Sequence, residues 1–144
     1  MSQPDTETNK EIVALFIDEV FQRMRPEAVD ELVADGFRSH SYPSPSGDGK
    51  ADLKAATERM GKTLTNVKFR EEQMIAEGDL VCVRLTARAT PIAPFMGIPP
   101  TGRSYEIGEI HFFRLRAGRI TEHWHEFDSA NLLRQLRGDE LSGS

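Results

Sequence analysis

The strongest constraint on the fold is an alternation of apolar and polar residues in the second half of the chain. Between Leu80 and Thr90, every second position is apolar: Val81, Val83, Leu85, Ala87 and Ala89. A period of two predicts a β-strand with one buried face. Two more long strands are predicted over Tyr105 to Arg116 and Arg119 to Phe127, joined by a tight turn at Ala117-Gly118.

The first half of the chain has a helical period instead. After Thr8, apolar residues recur at the spacing of one helix face: Val13, Phe16, Ile17, Val20, Phe21 and Met24. Further helices are predicted from Pro26 to Gly36 and from about Ala51 to Met60, followed by a strand within residues 67–77. Helices followed by long antiparallel strands predict an α+β fold, in which a twisted sheet curls around the helices and leaves a cone with an open mouth.

Length and composition predict one globular domain over residues 1–144, with flexible ends at residues 1–7 and 138–144. The net charge of −5 argues against a nucleic-acid partner, which would need a basic face. No apolar run reaches the roughly 18 residues of a membrane span, so no membrane partner is expected. The polar, acidic first residues are unlike a signal peptide, and we therefore expect a cytoplasmic protein.

Three of the four histidines, His111, His123 and His125, lie in the last predicted hairpin. If Ala117-Gly118-Arg119 forms a three-residue loop with a glycine bulge, His111 and His125 are directly opposed and share a face. If the loop is Ala117-Gly118 alone, His111 opposes Trp124 and His125 turns to the other face. The glycine favours the bulged loop and therefore the facing pair.

Two imidazoles in an apolar site resist both being charged, so at least one remains neutral and able to accept a proton. Such a pair suits proton abstraction next to a carbonyl group. Glu109 shares the face of His111 and is either the carboxylate that orients an imidazole or a surface charge. A three-nitrogen metal site of His111, His123 and His125 is the alternative, although we expect no metal and no cofactor.

Several segments of the second half resemble the SnoaL-like polyketide cyclases, typified by the cyclases of anthracycline biosynthesis. The matching segments keep the order and spacing of that family: Gly97-Ile-Pro-Pro-Thr-Gly102-Arg103, Ala117-Gly-Arg-Ile120, Glu122-His-Trp124, Asp128 and Leu132-Leu-Arg-Gln-Leu136. The resemblance implies a nuclear-transport-factor-2-like (cystatin-like) cone with a deep apolar pocket. It also implies a homodimer formed through the outer face of the sheet, and ring closure by aldol condensation without metal or cofactor.

In the resembled family an aspartate directly after the Trp position is the general acid/base, assisted by a histidine on the neighbouring strand. Here His125 occupies the acid position and His111 the position of the assisting histidine. We therefore predict His125 as the catalytic base and His111 as its electrostatic partner or proton donor. Asp128 directly precedes the last predicted helix, so we expect it to cap that helix rather than act as a pocket acid.

The predicted substrate is a small hydrophobic molecule that carries a carbonyl group. The residues expected to contact it are Phe16, His40, Tyr42, Phe95, Ile98, Glu109 and Trp124. Core packing explains Phe16 equally well, solvent exposure explains His40, and a dimer interface explains Trp124. Two other functions remain open: a non-catalytic binder of a hydrophobic ligand, and a hydrolase or dehydratase that uses a water held in the pocket.

Overall fold

The structure is a computed structural model that describes residues 5–138. Its helices are α1 (Thr6–Phe16), a π-helical segment (Ile17–Gln22), α2 (Pro26–Leu32), α3 (Gly49–Thr63) and α4 (Ser129–Arg137). Its strands are β1 (Val33–Ser39), β2 (Leu64–Glu77), β3 (Leu80–Pro91), β4 (Tyr105–Arg116) and β5 (Arg119–Phe127). Of the ends predicted to be flexible, residues 1–4 and 139–144 lie outside the described residues.

The five strands form one curved sheet in the order β1-β5-β4-β3-β2. Strands β2 to β5 pair antiparallel, and β1 lies parallel to β5 at the edge. The predicted α+β fold is therefore confirmed. The sheet presents one face to the helices and the other to the outside, and we call these the inner and outer faces.

The inner face packs into two apolar clusters. The larger cluster joins α1, the π-helical segment and α2 to the middle of the sheet, around Val13, Phe16, Val29, Val83 and Phe113. The smaller cluster joins α4 to the other end of β3 and β4, around Leu64, Ala89, Tyr105, Ile107 and Leu132. Because each large apolar side chain that is fully buried stabilises the fold by roughly 1.5–3 kcal/mol, these clusters hold β4 and β5 in place.

The π-helical segment brings an aromatic side chain to the middle of the inner face. Phe21 lies within this segment, and its ring centroid is 5.1 Å from that of His111. The end of the segment is tied to β2, because the backbone N–H of Phe69 donates to Oε1 of Gln22 at 2.9 Å. This contact fixes the helical layer against β2, the edge strand on the far side of β3 from the histidines.

The prediction of a helix up to Gly36 is wrong. Helix α2 ends at Leu32, and β1 begins at Val33. Val33 and Phe37 are buried, and Val33 pairs with Ile120 of β5. Pairing with β5 and burial of these apolar side chains override the local helical pattern, as tertiary contacts often do for short segments.

Candidate active site

Four polar side chains lie side by side on the inner face of β4 and β5: Glu109, His111, His123 and His125. They are largely shielded from solvent. The side chain of His111 is 2 % exposed, that of His125 7 % and that of Glu109 11 %. Polar groups buried to this degree require hydrogen-bond partners inside the protein, and each of the four has at least one.

His111 and His125 face each other across β4 and β5, as predicted. Their rings are nearly parallel, with an interplanar angle of 9° and centroids 4.0 Å apart. Both rings direct Nε2 toward the same atom, Oε1 of Glu109, at 2.8 Å from His111 and 3.1 Å from His125. One carboxylate oxygen therefore holds both imidazoles in place.

His111 and His125 face each other for a different structural reason from the predicted one. The turn consists of Ala117 and Gly118 alone, both with positive φ (51° and 77°), as in a type I′ turn. This turn pairs Leu115 with Ile120, and the register shifts by one residue before Arg114 pairs with Glu122. The predicted three-residue loop is therefore wrong: a β-bulge at Thr121 turns His125 to the inner face.

A second hydrogen-bonded branch leads away from His111. Its Nδ1 lies 2.9 Å from Nε2 of His123, and Nδ1 of His123 lies 3.2 Å from Oγ of Ser39. An ionised carboxylate only accepts hydrogen bonds, so Nε2 of His111 carries a proton and, in the neutral ring, Nδ1 accepts. His123 must then donate from Nε2 and accept from the Ser39 hydroxyl at Nδ1. The branch is thus satisfied with both rings neutral.

The pKa values of these groups follow from burial and from their mutual contacts. Burial lowers the pKa of His111, although the hydrogen bond to Glu109 opposes this, and it lowers the pKa of His123 further. For Glu109 burial favours the neutral acid, but the hydrogen bonds from His111 and His125 outweigh it and bring the pKa to about 2. Near neutral pH the site therefore holds an ionised Glu109 and neutral rings at His111 and His123.

Tyr42 contacts His125 from the side opposite Glu109. Its hydroxyl is hydrogen-bonded to Nδ1 of His125. The hydroxyl of Ser41 fixes the approach of this segment, because it accepts from the backbone N–H of His125 at 2.6 Å and donates to the His125 carbonyl at 3.1 Å. Tyr42, one of the expected substrate contacts, is thus joined to the site by its hydroxyl group.

The remaining predicted contact residues lie elsewhere. His40 and Trp124 are on the outer face, where their rings stack with centroids 4.7 Å apart. Phe16 lies in the larger apolar cluster, 5.4 Å from the ring of Phe113. Phe95 and Ile98 pair with each other and pack against the smaller cluster. The structure therefore brings together His111, His125, Glu109 and Tyr42, but not these five.

Two parts of the site differ from what the sequence predicts. The sequence predicts His123 only as a metal ligand, although its spacing of two residues from His125 places both side chains on one face of β5. Ser39 is absent from the predicted site, because its strand β1 is not predicted. Asp128, in contrast, caps α4 as predicted, with Oδ1 accepting from the backbone N–H of Asn131 at 3.0 Å.

Glu109, His111 and His125 also form the one group of potential metal ligands found in the described residues, with ligand atoms within 4.8 Å of one another. Two imidazoles and one carboxylate are a common ligand set for divalent iron. In the structure these atoms are hydrogen-bonded to one another, since both Nε2 atoms donate to Oε1 of Glu109. The group differs from the predicted set of three histidines, because Glu109 takes the place of His123.

Two cavities in the described part of the chain lie away from the histidines. One of about 120 Å³ is bounded by the π-helical segment and β2, and an open one of about 410 Å³ lies beside the β4–β5 turn. Neither is lined by a histidine. The deep apolar pocket implied by the resemblance therefore stays a prediction. Among residues 5–138, no helix is long and apolar enough to cross a membrane.

Comparison with solved structures places the fold among known proteins. TsrD from Streptomyces laurentii is 26% identical, with a TM-score of 0.82 over 93% of this chain and 98% of that one. IdmH from Streptomyces antibioticus is 28% identical, with a TM-score of 0.74 over 90% and 98%. An LEH-like epoxide hydrolase of M. tuberculosis, 17% identical with a TM-score of 0.72 over 94% and 93%, shares the fold alone.

These likenesses confirm the predicted nuclear-transport-factor-2-like cone. A search of curated protein sequences found no match. The family model of the SnoaL-like polyketide cyclases matches residues 11–136, which include both apolar clusters and the whole histidine site. A function of the cyclase type is therefore supported in general terms. The chain belongs to the SnoaL-like polyketide cyclase family.

Proposed function

We propose that this protein is a cofactor-independent enzyme that moves protons next to a carbonyl group of an apolar small molecule, in an aldol-type cyclisation or an isomerisation. One observation carries the proposal: Oε1 of Glu109 accepts hydrogen bonds from both His111 and His125 in a site shielded from solvent. A buried carboxylate that holds an imidazole by one nitrogen prepares the other nitrogen to accept a proton.

His125 is the proposed base. When its Nδ1 accepts a proton, the ring becomes an imidazolium whose Nε2–H already donates to ionised Glu109. The attraction between the two charges is strong because little solvent reaches them. Groups placed in this way contribute about 10²- to 10⁴-fold to the rate of proton transfer.

His111 has a supporting role in this mechanism. Its ring lies parallel to that of His125, and burial lowers its pKa, so it remains neutral while His125 takes up the proton. A second positive charge at His111 would oppose the one that forms on His125. His123 and Ser39 complete the hydrogen bonds of His111 and hold its ring in place.

An aldol-type closure suits this machinery because it consumes no proton overall. The base removes a proton from the carbon next to one carbonyl, and the enolate attacks a second carbonyl to form the new carbon–carbon bond. The resulting alkoxide then takes a proton back from His125. One imidazole therefore serves as base and then as acid, and the step needs no external reductant or oxidant.

Deuterium exchange tests the proposal without knowledge of the natural substrate. The probe is β-tetralone, an apolar fused-ring ketone, and the measurement is deuterium uptake at its α-carbons in D₂O by proton NMR. We expect His125→Ala to lower the catalysed rate by about 100-fold or more. Glu126→Ala, an exposed neighbour on β5, is the control and should keep the wild-type rate.

Three other results would reject His125 as the base or favour a different function. Equal rates for His125→Ala and the wild type would reject the assignment of the base. A hydrophobic ligand that copurifies with the protein and stays unaltered on incubation would favour simple binding. Opening of styrene oxide that depends on His125, with no exchange of β-tetralone, would favour a hydrolase that uses a bound water.

We also propose that two copies pair through the outer face of the sheet. One row of side chains crosses β2 to β5 on this face: Ile75, Cys82, Phe112 and Trp124. Ile75 is 68% exposed and Phe112 is 43% exposed in the single chain. An apolar row of this kind on a sheet face is typical of a protein–protein interface.

A further inference from the structure

Tyr42 is an exposed side chain hydrogen-bonded to the buried ring of His125. Both ring nitrogens of His125 are occupied: Nε2 donates to Glu109, and Nδ1 contacts the Tyr42 hydroxyl. The side chain of His125 is only 7 % exposed, whereas Tyr42 is 50 % exposed. A substrate that approaches His125 from the side opposite Glu109 therefore meets the phenol before it meets the imidazole.

The direction of the Tyr42 hydrogen bond follows from the charge on Glu109. The pKa of this carboxyl is about 2, so near neutral pH it is ionised and can only accept. Nε2 of His125 must then carry a proton, and in a neutral imidazole the other nitrogen, here Nδ1, is the acceptor. The Tyr42 hydroxyl consequently donates to Nδ1, and the three groups form a carboxylate–imidazole–hydroxyl series.

The position of Tyr42 is set by the backbone of β5. After β1 ends, the N–H of His40 donates to the carbonyl oxygen of His123 at 2.8 Å. The Ser41 hydroxyl then pairs with both backbone groups of His125. The segment that carries Tyr42 is thus attached to the strand that carries His125, so their side chains keep a fixed relation.

We propose that the Tyr42 hydroxyl exchanges protons with the substrate, and that His125 and Glu109 act behind it. This inference rests on the proposed function and changes only the identity of the group that touches the substrate. It makes Tyr42 a catalytic residue and His125 the base that drives it. The exposed phenol and the two occupied nitrogens of His125 carry the argument.

The step balances without any further reactant. The bond between the α-carbon and hydrogen breaks, the proton goes to Oη of Tyr42, and the electron pair moves to the carbonyl oxygen as an enolate. At the same time the original hydroxyl proton of Tyr42 passes to Nδ1 of His125, which becomes an imidazolium beside Glu109. The reverse transfers return a proton to the alkoxide after ring closure.

The first test reads the tautomer of His125 and needs no substrate. A multiple-bond proton–nitrogen NMR correlation on nitrogen-labelled protein near neutral pH should show Nε2 protonated and Nδ1 as a hydrogen-bonded acceptor. In Tyr42→Phe, the Nδ1 resonance should move to the position of an acceptor without a donor. Tyr105→Phe makes the same chemical change in the smaller apolar cluster and should leave Nδ1 unmoved. A wild-type protein with the proton on Nδ1 would overturn the relay.

The second test uses the β-tetralone exchange described above. We expect Tyr42→Phe to lose about 100-fold or more of the catalysed rate, with an unchanged circular dichroism spectrum. Because the groups act as one unit, Tyr42→Phe combined with His125→Ala should be about as slow as His125→Ala alone. A near wild-type rate for Tyr42→Phe, with a large loss for His125→Ala, would overturn the relay and leave the proposed function standing. Full rates for both variants would overturn both.

Discussion

The two faces of the sheet carry the same kind of contact in different surroundings. On the inner face, His111 lies 2.8 Å from Glu109, and on the outer face, His40 lies 2.7 Å from Glu122. The inner side chains are 2 % and 11 % exposed, whereas the outer ones are 31 % and 32 % exposed. Two contacts of nearly equal length thus differ mainly in burial.

This difference separates a site that can do chemistry from an ordinary surface pair. Solvent screens an exposed pair of charges, and such pairs stabilise proteins by only about 0–1 kcal/mol. On the inner face burial lowers the pKa of His111, and two imidazole N–H donors keep Glu109 ionised. The contact distance alone would not distinguish the two pairs.

Removal of the inner carboxylate should destabilise the protein far more than removal of the outer one. Glu109→Ala leaves two buried N–H donors, on His111 and His125, without an acceptor. We expect it to lower the free energy of unfolding by about 3 kcal/mol, because each buried unsatisfied group costs about 1–3 kcal/mol. Glu122→Ala should cost less than about 1 kcal/mol. Urea unfolding of both variants measures these free energies. Equal losses would show that burial does not distinguish the two His–Glu pairs.

The next effect is on the pH dependence of stability. Burial, together with the neighbouring His111 and His125, lowers the pKa of His123 in the folded state, although Glu109 opposes this. Below the ordinary histidine pKa of about 6.5, the unfolded chain therefore binds a proton that the folded site excludes. The stability is fully present above that pH and falls as the pH drops, by up to about 1.4 kcal/mol per pH unit for each such proton.

The variant His123→Gln tests this effect. It cannot take up the proton, so its free energy of unfolding should fall less steeply than that of the wild type between about pH 6.5 and pH 5. Urea unfolding at a series of pH values gives both slopes. Identical slopes would show that His123 does not contribute the titration assigned to it.

The smallest expected effect on the fold comes from a change on the outer face. Phe112→Lys places a charge in the exposed apolar row, and we expect it to change the unfolding free energy of the single chain by less than about 0.5 kcal/mol. The same change should convert the proposed dimer to monomer in light scattering coupled to size-exclusion chromatography. A monomeric wild type, or a variant that stays dimeric, would contradict the proposed interface.

Period-two patterns predicted the long strands, because β3, β4 and β5 each bury one face against the helices. The edge strand β1 escaped prediction. Its short segment, Val33–Ser39, contains Gly36 and has no clear alternation, and its partner β5 is distant in the chain. The pairing of β1 with β5 becomes evident only when the sheet is assembled.

The candidate site, too, was only partly predictable from the sequence. The facing of His111 and His125 was predictable, yet it depends on a bulge at Thr121 that no residue pattern marks. The polar role of Tyr42 and the contribution of Ser39 were not predictable, because both depend on the position of β1. Ser39 is the last residue of that strand, and Tyr42 lies shortly after it. Local patterns specified the strands, but contacts between distant segments built the hydrogen-bonded site.

The rate of β-tetralone exchange for Glu109→Gln, compared with Glu122→Gln, tests whether the buried carboxylate supports proton transfer. Each variant replaces one carboxylate by an amide of nearly the same shape, one on the inner face and one on the outer. We predict a loss of about 100-fold or more for Glu109→Gln and a rate within about threefold of the wild type for Glu122→Gln. Equal rates for the two variants would show that Glu109 has no special part in the reaction.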